Sequence, residues 1–320
     1  MSPSPVVGAG LEVLTLGEAM VSIRTSTALR MGGDARLSVA GSESNVAIGL
    51  SRLGHRAAWI GAVGNDEPGR LIQRTLRAEG VDTAYLRFSD DSFTGFIAFD
   101  QPAHDITRVS YHRRGSAGSQ LTAEECVGAL EVARPAILHV TGITPALSET
   151  ARTATESAVR AAAEVGVRVS LDVNYRGRLW SRSEAAAVLR TLLPSVHTVF
   201  ASEDELDLLT DADKPVDALR ESGVQEVVVT AGGKGAWSHT EAGTIHQPAL
   251  PVTVVDSIGA GDAFVSGYLS ATLDNQSPEQ RLTRATTSGA FCVGAYGDWE
   301  ALPTREDLTL LTHTHGTALR

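Results

Sequence analysis

Residues 256–264 read Asp-Ser-Ile-Gly-Ala-Gly-Asp-Ala-Phe. A Val-rich stretch (Val252, Val254, Val255) leads into this run, and an apolar helical pattern (Phe264, Val265, Tyr268, Leu269) leaves it. The spacing predicts a strand-to-helix junction with its small residues at the turn. Such a turn leaves backbone N–H groups bare at the positive end of a helix dipole, which is an anion site. Asp262 then has two readings. As a cap, its carboxylate takes a helix N–H; as a general base, it takes a proton from a hydroxyl attacking a phosphoryl group held on the amides. The four residues Gly259 to Asp262 do not choose between them.

Outward from this run, short β-rich stretches alternate with helical patterns. Strands are expected over 13–17, 57–63, 136–141, 167–173, 198–201 and 226–230. Helices are expected over 44–53, 68–78, 148–165, 183–193 and 203–209. That alternation predicts βαβ units and an α/β fold: a Rossmann-like, doubly wound, mostly parallel sheet with ligands beyond the carboxyl ends of its strands. Residues 20–40 and 92–114 break the rhythm with strand-like alternation and no helix. Thr94 to Phe99 and Arg108 to Arg113, joined by a polar turn with Pro102 and Asp105, read as a hairpin. These two stretches are expected to form a small β lid on a core of 11–19, 41–91 and 115–311, with flexible ends at 1–10 and 312–320. The alternative is a pair of surface hairpins without a role.

Lys plus Arg number 27 against 38 Asp plus Glu, a net charge of −11. This acidic balance argues against nucleic acid and anionic membrane surfaces as partners, so an anionic substrate needs a local basic cluster. Cys126 and Cys292 lack metal-ligand spacing and read as free thiols of a reducing compartment. No basic n-region, long apolar run or membrane-length segment stands out, so a cytoplasmic protein is expected. No Gly-x-Gly-x-x-Gly run, Walker A loop or Gly-x-Ser-x-Gly elbow occurs, and His313 and His315 belong to the tail.

Four further stretches bear chemistry. Period two places Val109, Tyr111 and Arg113 on one strand face, an aromatic beside a guanidinium that suits a polar or anionic ligand. Asp172 and Asn174 share a face at a strand's carboxyl end, with Arg176 following. Gly41-Ser42-Glu43-Ser44-Asn45 precedes a helix; capping accounts for one polar residue there, not for all of them. Thr230-Ala231-Gly232-Gly233-Lys234-Gly235 follows a strand and would let a nucleotide approach the backbone.

In chain order these features resemble the PfkB/ribokinase family of sugar kinases, from Gly17 to Gly297. The resemblance implies a ribokinase-like core with a β-sheet lid, ATP and Mg²⁺ as cofactors, K⁺ near Asp256 and Ile258 as an open question, and a homodimer built through the lid. It makes Asp262 the catalytic base and the amides of Gly259, Ala260 and Gly261 the anion hole. Ser202, Glu205, Thr230, Gly232, Gly233, Gly235, Gly259, Gly261, Thr286 and Gly289 would line the nucleotide site. Ser202 and Thr286 depart from the family's usual Asn residues. The runs Gly41 to Asn45, Tyr111-His112-Arg113 with Ser116 to Ser119, and Asp172 to Arg176 with Leu179-Trp180 are most similar to the 2-keto-3-deoxygluconate kinase subgroup. There, residues 41–45, Tyr111, Arg113, Asp172, Asn174 and Arg176 would hold the sugar acid with Asp262, two arginines converging on its carboxylate. A lid tyrosine expected after Thr94-Gly95 falls on Ile97. The implied activity is ATP-dependent transfer to a primary hydroxyl, giving a 6-phosphate. A fructokinase- or ribokinase-type neutral-sugar kinase is the alternative; a nucleoside kinase and a non-catalytic sugar-binding protein on the same fold are weaker ones.

Overall fold

A computed structural model describes residues 10–103 and 106–312. Residues 1–9 and 313–320, which hold most of the expected flexible ends and both tail histidines, lie outside the described residues, as does Asp105. The chain begins with β1 (Val13–Leu16), β2 (Met20–Arg24), β3 (Arg36–Ala40), α1 (Ser42–Arg52), β4 (Ala57–Gly64), α2 (Glu67–Ala78) and β5 (Leu86–Ser89). Next come β6 (Phe96–Ala103), β7 (Ile106–His112), α3 (Ala123–Ala133), β8 (Ile137–Thr141), α4 (Glu149–Glu164), β9 (Arg168–Asp172) and α5 (Arg182–Leu192). It continues through β10 (Thr198–Ser202), α6 (Leu206–Leu209), α7 (Pro215–Glu221), β11 (Glu226–Thr230), β12 (Ala236–Thr240) and β13 (Gly243–Gln247). Two long helices follow, α8 (Ala260–Leu273) and α9 (Pro278–Val293).

Nine strands form the central sheet in the order β13-β12-β11-β10-β9-β8-β1-β4-β5. From β11 to β5 every neighbouring pair is parallel; β12 and β13 close one edge antiparallel. Its strands are buried runs such as Ala57–Gly64, as expected when helices cover both faces. One apolar core packs around Leu138, Val140 and Leu171, the other around Trp59, Phe200 and Tyr268. Local signals fix the helix starts: Asp66 caps α2 ahead of Pro68, and Ser277 with Gln280 forms a capping box on α9. α8 is buried along nearly its whole length between α1, α9 and the sheet.

A second, four-stranded sheet, in the order β3-β2-β6-β7, stands apart from the first. The hairpin expectation holds, with β6 antiparallel to β7 and Ile97 opposite Tyr111. Two expectations are corrected. Residues 252–255 form no strand; Val254 is 63 % exposed, and the segment is tied down where the Val255 N–H donates to the Val293 carbonyl at 2.7 Å. The helix expected from Ser44 starts at Ser42.

Candidate active site

Because β1, β8, β9, β10 and β11 are parallel, their carboxyl ends lie along one edge of the sheet. There a cavity of about 1060 Å³ opens between the central sheet and the small one, lined among others by Glu18, Ser42, Asn45, Asp172, Asn174, Arg176 and Asp262. Two helix N-termini meet in it. Ser42 and Asn45, three apart on the first turn of α1, project from one face. Ser42 Oγ donates to Asp262 Oδ1 at 2.6 Å, and Asn45 Nδ2 donates to Asp262 Oδ2 at 2.8 Å. Asn174 Nδ2 donates to Ser42 Oγ and to Asp172 Oδ2, both at 3.0 Å, which sets the polarity of the chain of hydrogen bonds.

This arrangement tells against the cap reading of Asp262. The N-cap of α8 is Gly259, in a left-handed turn (φ 76°), and no side chain caps the helix. Asp262 faces α1 and the cavity instead. Burial raises its pKa; the hydrogen bonds from Ser42 and Asn45 and the positive charge of Arg176 pull the other way. A carboxylate with raised proton affinity, held by two donors, is suited to general-base work. The Asp172 carboxyl is pushed well above its ordinary value by burial and by the nearby Glu205 and Asp262 carboxylates.

The anion turn differs in detail from the sequence expectation. Ala260 N–H donates to the Ser257 carbonyl at 3.4 Å, and Ala263 N–H closes the first helical bond onto Gly259. Gly259 is irreplaceable on steric grounds, since a Cβ there would overlap the Asp298 carbonyl oxygen. The first helical N–H groups of α8 are therefore presented beside the buried Asp262.

The two arginines behave differently. Arg176 is exposed, and its guanidinium makes no hydrogen bond or ion pair among the described residues. Arg113 Nε donates to Glu18 Oε2 at 2.6 Å, and Nη2 also pairs with that carboxylate. Glu18, 2 % exposed, accepts a third bond from Ser116 Oγ. Arg113 therefore lines the cavity with its charge paired to Glu18, while Arg176 and the exposed Arg114 line it without an ion pair among the described residues. Tyr111 lies under the Arg113 guanidinium, 5.9 Å from its ring centroid, on an apolar wall with Ile97, Phe99 and Val109. Asn45 Oδ1 is buried without a hydrogen-bond partner.

The sequence matches the profile of the pfkB family carbohydrate kinases over residues 11–305. The chain belongs to this family. It is 35 % identical to the 2-dehydro-3-deoxygalactonokinase of Haloferax volcanii over 90 % of this chain and 92 % of the relative. With the 2-dehydro-3-deoxygluconokinase of Bacillus subtilis it shares 34 % identity over 93 % and 94 %. A fructokinase double mutant from Vibrio cholerae O395, solved in fructose-, ADP- and potassium-ion-bound form, superposes with a TM-score of 0.81 at 27 % identity, covering 96 % of this chain and all of that one. The protein is an ATP-dependent sugar kinase.

On the nucleotide side of the kinase, Ser202, Glu205 and Thr230 line the same cavity. Glu205 accepts from the backbone N–H of Ser202 at 2.8 Å and of Tyr175 at 2.7 Å, fastening the ends of β9 and β10 together. Gly232 and Gly233 have open space where a Cβ would stand; Gly235 (φ 98°) packs against residues 247–249. Thr286 is buried in α9, its hydroxyl bonded back to the Leu282 and Thr283 carbonyls, and Gly289 lies against α8; neither lines the cavity. Ser44 is turned away too, donating to the Gly41 carbonyl. Glu43 reaches under the site, where Thr141 and Thr144 hydroxyls donate to it at 2.6 and 2.7 Å and burial raises its pKa.

No group of three or more His, Cys, Asp or Glu forms a metal cage among the described residues. Mg²⁺ needs only one or two carboxylates, waters and substrate phosphates, and Glu205, which lines the cavity, is a carboxylate that would fit it. The K⁺ position fits less well. Asp256 is already paired with Arg24 Nη1 at 3.1 Å and with the Ile258 N–H at 3.1 Å, and the Ile258 carbonyl accepts from Cys292 Sγ at 3.4 Å.

Glu18 and Asp298 line the cavity, with Arg24 beside Asp298, and sequence reasoning missed all three. Glu18 had a signal: an acid directly after the glycine that ends the first strand, with a Cβ at Gly17 excluded by Glu43. Arg24, at the end of β2, and Asp298, in the irregular segment after α9, are far apart in sequence and had none.

Proposed function

We propose that this kinase phosphorylates the 6-hydroxyl of 2-keto-3-deoxygluconate (2-dehydro-3-deoxygluconate). The observation that carries the reading is the unpaired Arg176 guanidinium in the cavity that holds Asp262, Ser42 and Asn45. A neutral sugar offers nothing to pair with that charge; a sugar acid offers a carboxylate. The Bacillus subtilis relative supports it by name, and the Haloferax volcanii relative is named for the galactonate counterpart.

In the proposed reaction Asp262 takes the proton of the 6-hydroxyl, and the freed oxygen attacks the γ-phosphorus of ATP. The bond to the bridging oxygen breaks, and ADP leaves. The N–H groups of the 259–262 turn receive the charge gathering on the transferring phosphoryl oxygens. Mg²⁺, when bound with the nucleotide near Glu205, supplies charge neutralisation. Gly41, Ser42, Asn45, Tyr111, Asp172 and Asn174 orient the sugar, and Thr230, Ser202 and residues 232–235 border the nucleotide. The small sheet acts as a lid that excludes water. Leu29, Met31, Leu37 and Ile106, each at least 46 % exposed, give that sheet the apolar surface of a homodimer contact. Both cysteines are buried and unpaired, in keeping with a cytoplasmic enzyme.

Ile97 favours a second reading. An isoleucine opposite Tyr111 leaves the lid wall apolar where the subgroup carries a hydroxyl, and the Vibrio cholerae fructokinase holds fructose on the same fold. Measuring KM separates the two. Arg176→Ala is expected to raise KM for the sugar acid more than KM for ATP; equal effects on both contradict the carboxylate role.

A further inference from the structure

Arg24 ends β2 in the small sheet, yet its guanidinium reaches the anion turn of the central one. Its Nη1 donates to Asp256 Oδ2 at 3.1 Å, its Nη2 lies 4.0 Å from Asp298 Oδ1, and the group rests over the Phe99 ring, 4.4 Å from the centroid. The side chain is 22 % exposed, and Nη2 is buried without a hydrogen-bond partner. Acceptors face the guanidinium, namely the Asp256 and Asp298 carboxylates and behind them the Asp298 carbonyl packed against Gly259, while the neighbouring cation, its cross-strand partner Arg36, is paired with Glu300. This is the region where a monovalent cation was an open question, and a guanidinium stands in it.

We infer that Arg24 is a tethered cation which replaces a monovalent ion at the anion turn and makes the kinase independent of K⁺. The inference deepens the proposed kinase reaction and rests on the 259–262 turn receiving phosphoryl charge. A guanidinium keeps its charge and is held by its own backbone, so the positive charge opposite Asp256 does not depend on the salt. Arg24 touches neither sugar nor nucleotide on this account. It is a positioning residue, holding Asp256 and through it the Ile258 N–H that leads into the turn. Being part of the small sheet, it also couples that sheet's placement to the anion turn, which an exchangeable ion does not do.

The test compares KCl, NaCl and tetramethylammonium chloride at equal ionic strength. Wild-type turnover is expected to agree across the three within about twofold, the spread left by salt effects on exposed charges. Arg24→Met keeps the stem over Phe99 and removes the charge. In tetramethylammonium chloride it is expected to lose at least about tenfold in kcat, less than the roughly 10²–10³ of a donor touching the reacting oxygen. K⁺ is expected to restore it, and Arg24→Lys to remain independent of K⁺. Melting temperatures give a readout free of substrate: Arg24→Met is expected to melt higher in KCl than in tetramethylammonium chloride, because an ion bound only to the folded state stabilises it; wild type is expected to show no such difference. Severalfold activation of wild type by K⁺, a K⁺-dependent melting shift in wild type, or an Arg24→Met variant that responds to K⁺ in neither assay overturns the inference. If no sugar acid or hexose turns over, the substrate reading fails, and the melting comparison still decides the role of Arg24.

Discussion

The surroundings of Asp262, the proposed base, oppose one another: burial raises its proton affinity, and Ser42 and Asn45 restrain the rise. Asp262→Asn keeps the shape and removes the base, so kcat is expected to fall at least about 10²–10⁴-fold while ATP still binds. Asn45→Ala removes a donor that lowers the pKa of Asp262. The acid limb of its kcat–pH profile is therefore expected to lie at higher pH than in wild type. Arg113 invites a stability experiment instead of a kinetic one. Removing it leaves Glu18 buried and unpaired, which costs about 3–5 kcal/mol. Arg113→Ala is expected to lower the denaturant midpoint accordingly, and adding Glu18→Gln to recover most of the loss. Asp298 is pushed up to about 7 by burial and by the Asp262 and Glu300 carboxylates. A carboxyl raised above its unfolded value binds more protons folded than unfolded, so its contribution to stability declines as pH rises from about 4 to 7. Asp298→Asn is expected to raise the melting temperature relative to wild type at pH 8, with a smaller difference at pH 5.

At the scale of elements, the site is the meeting of the first turns of α1 and α8. The Gly-Ala-Gly-Asp run announced the turn into α8 in sequence because small residues beside a helix start have few other uses. The helix Ser42–Arg52 was legible less well: its first turn carries four polar side chains, whose roles separate only once Asp262 and Thr141 are known as partners. The strand expected at 252–255 was a false signal from β-branched residues; no sheet edge is there to accept them, and local propensity yields to that context. Gly259 tests the turn itself. Ala at this position meets both a left-handed φ and the Asp298 carbonyl oxygen, a strain of about 1–3 kcal/mol. Gly259→Ala is expected to impair turnover far more than Gly233→Ala, whose Cβ position is open and whose backbone is not left-handed.

For the whole molecule, βαβ alternation gave the parallel sheet directly, since period and length report local geometry. What stayed hidden was everything joining distant segments: Arg113 to Glu18 across 95 positions and Arg24 to Asp256 across 232. No spacing rule encodes such pairs, and both bind the small sheet to the central one. The antiparallel edge of β12 and β13 was missed for another reason: its strands are short and follow the glycine-rich loop read as a nucleotide site. The cavity between the sheets brings these scales together, with Asp262 and Arg176 both lining it. Coupled ADP release over sugar acids, hexoses and nucleosides tests that account most directly. It predicts the highest kcat/KM for 2-keto-3-deoxygluconate or its galactonate counterpart, with a marked loss in Arg176→Ala. A preference for fructose or ribose, unchanged by Arg176→Ala, would contradict it.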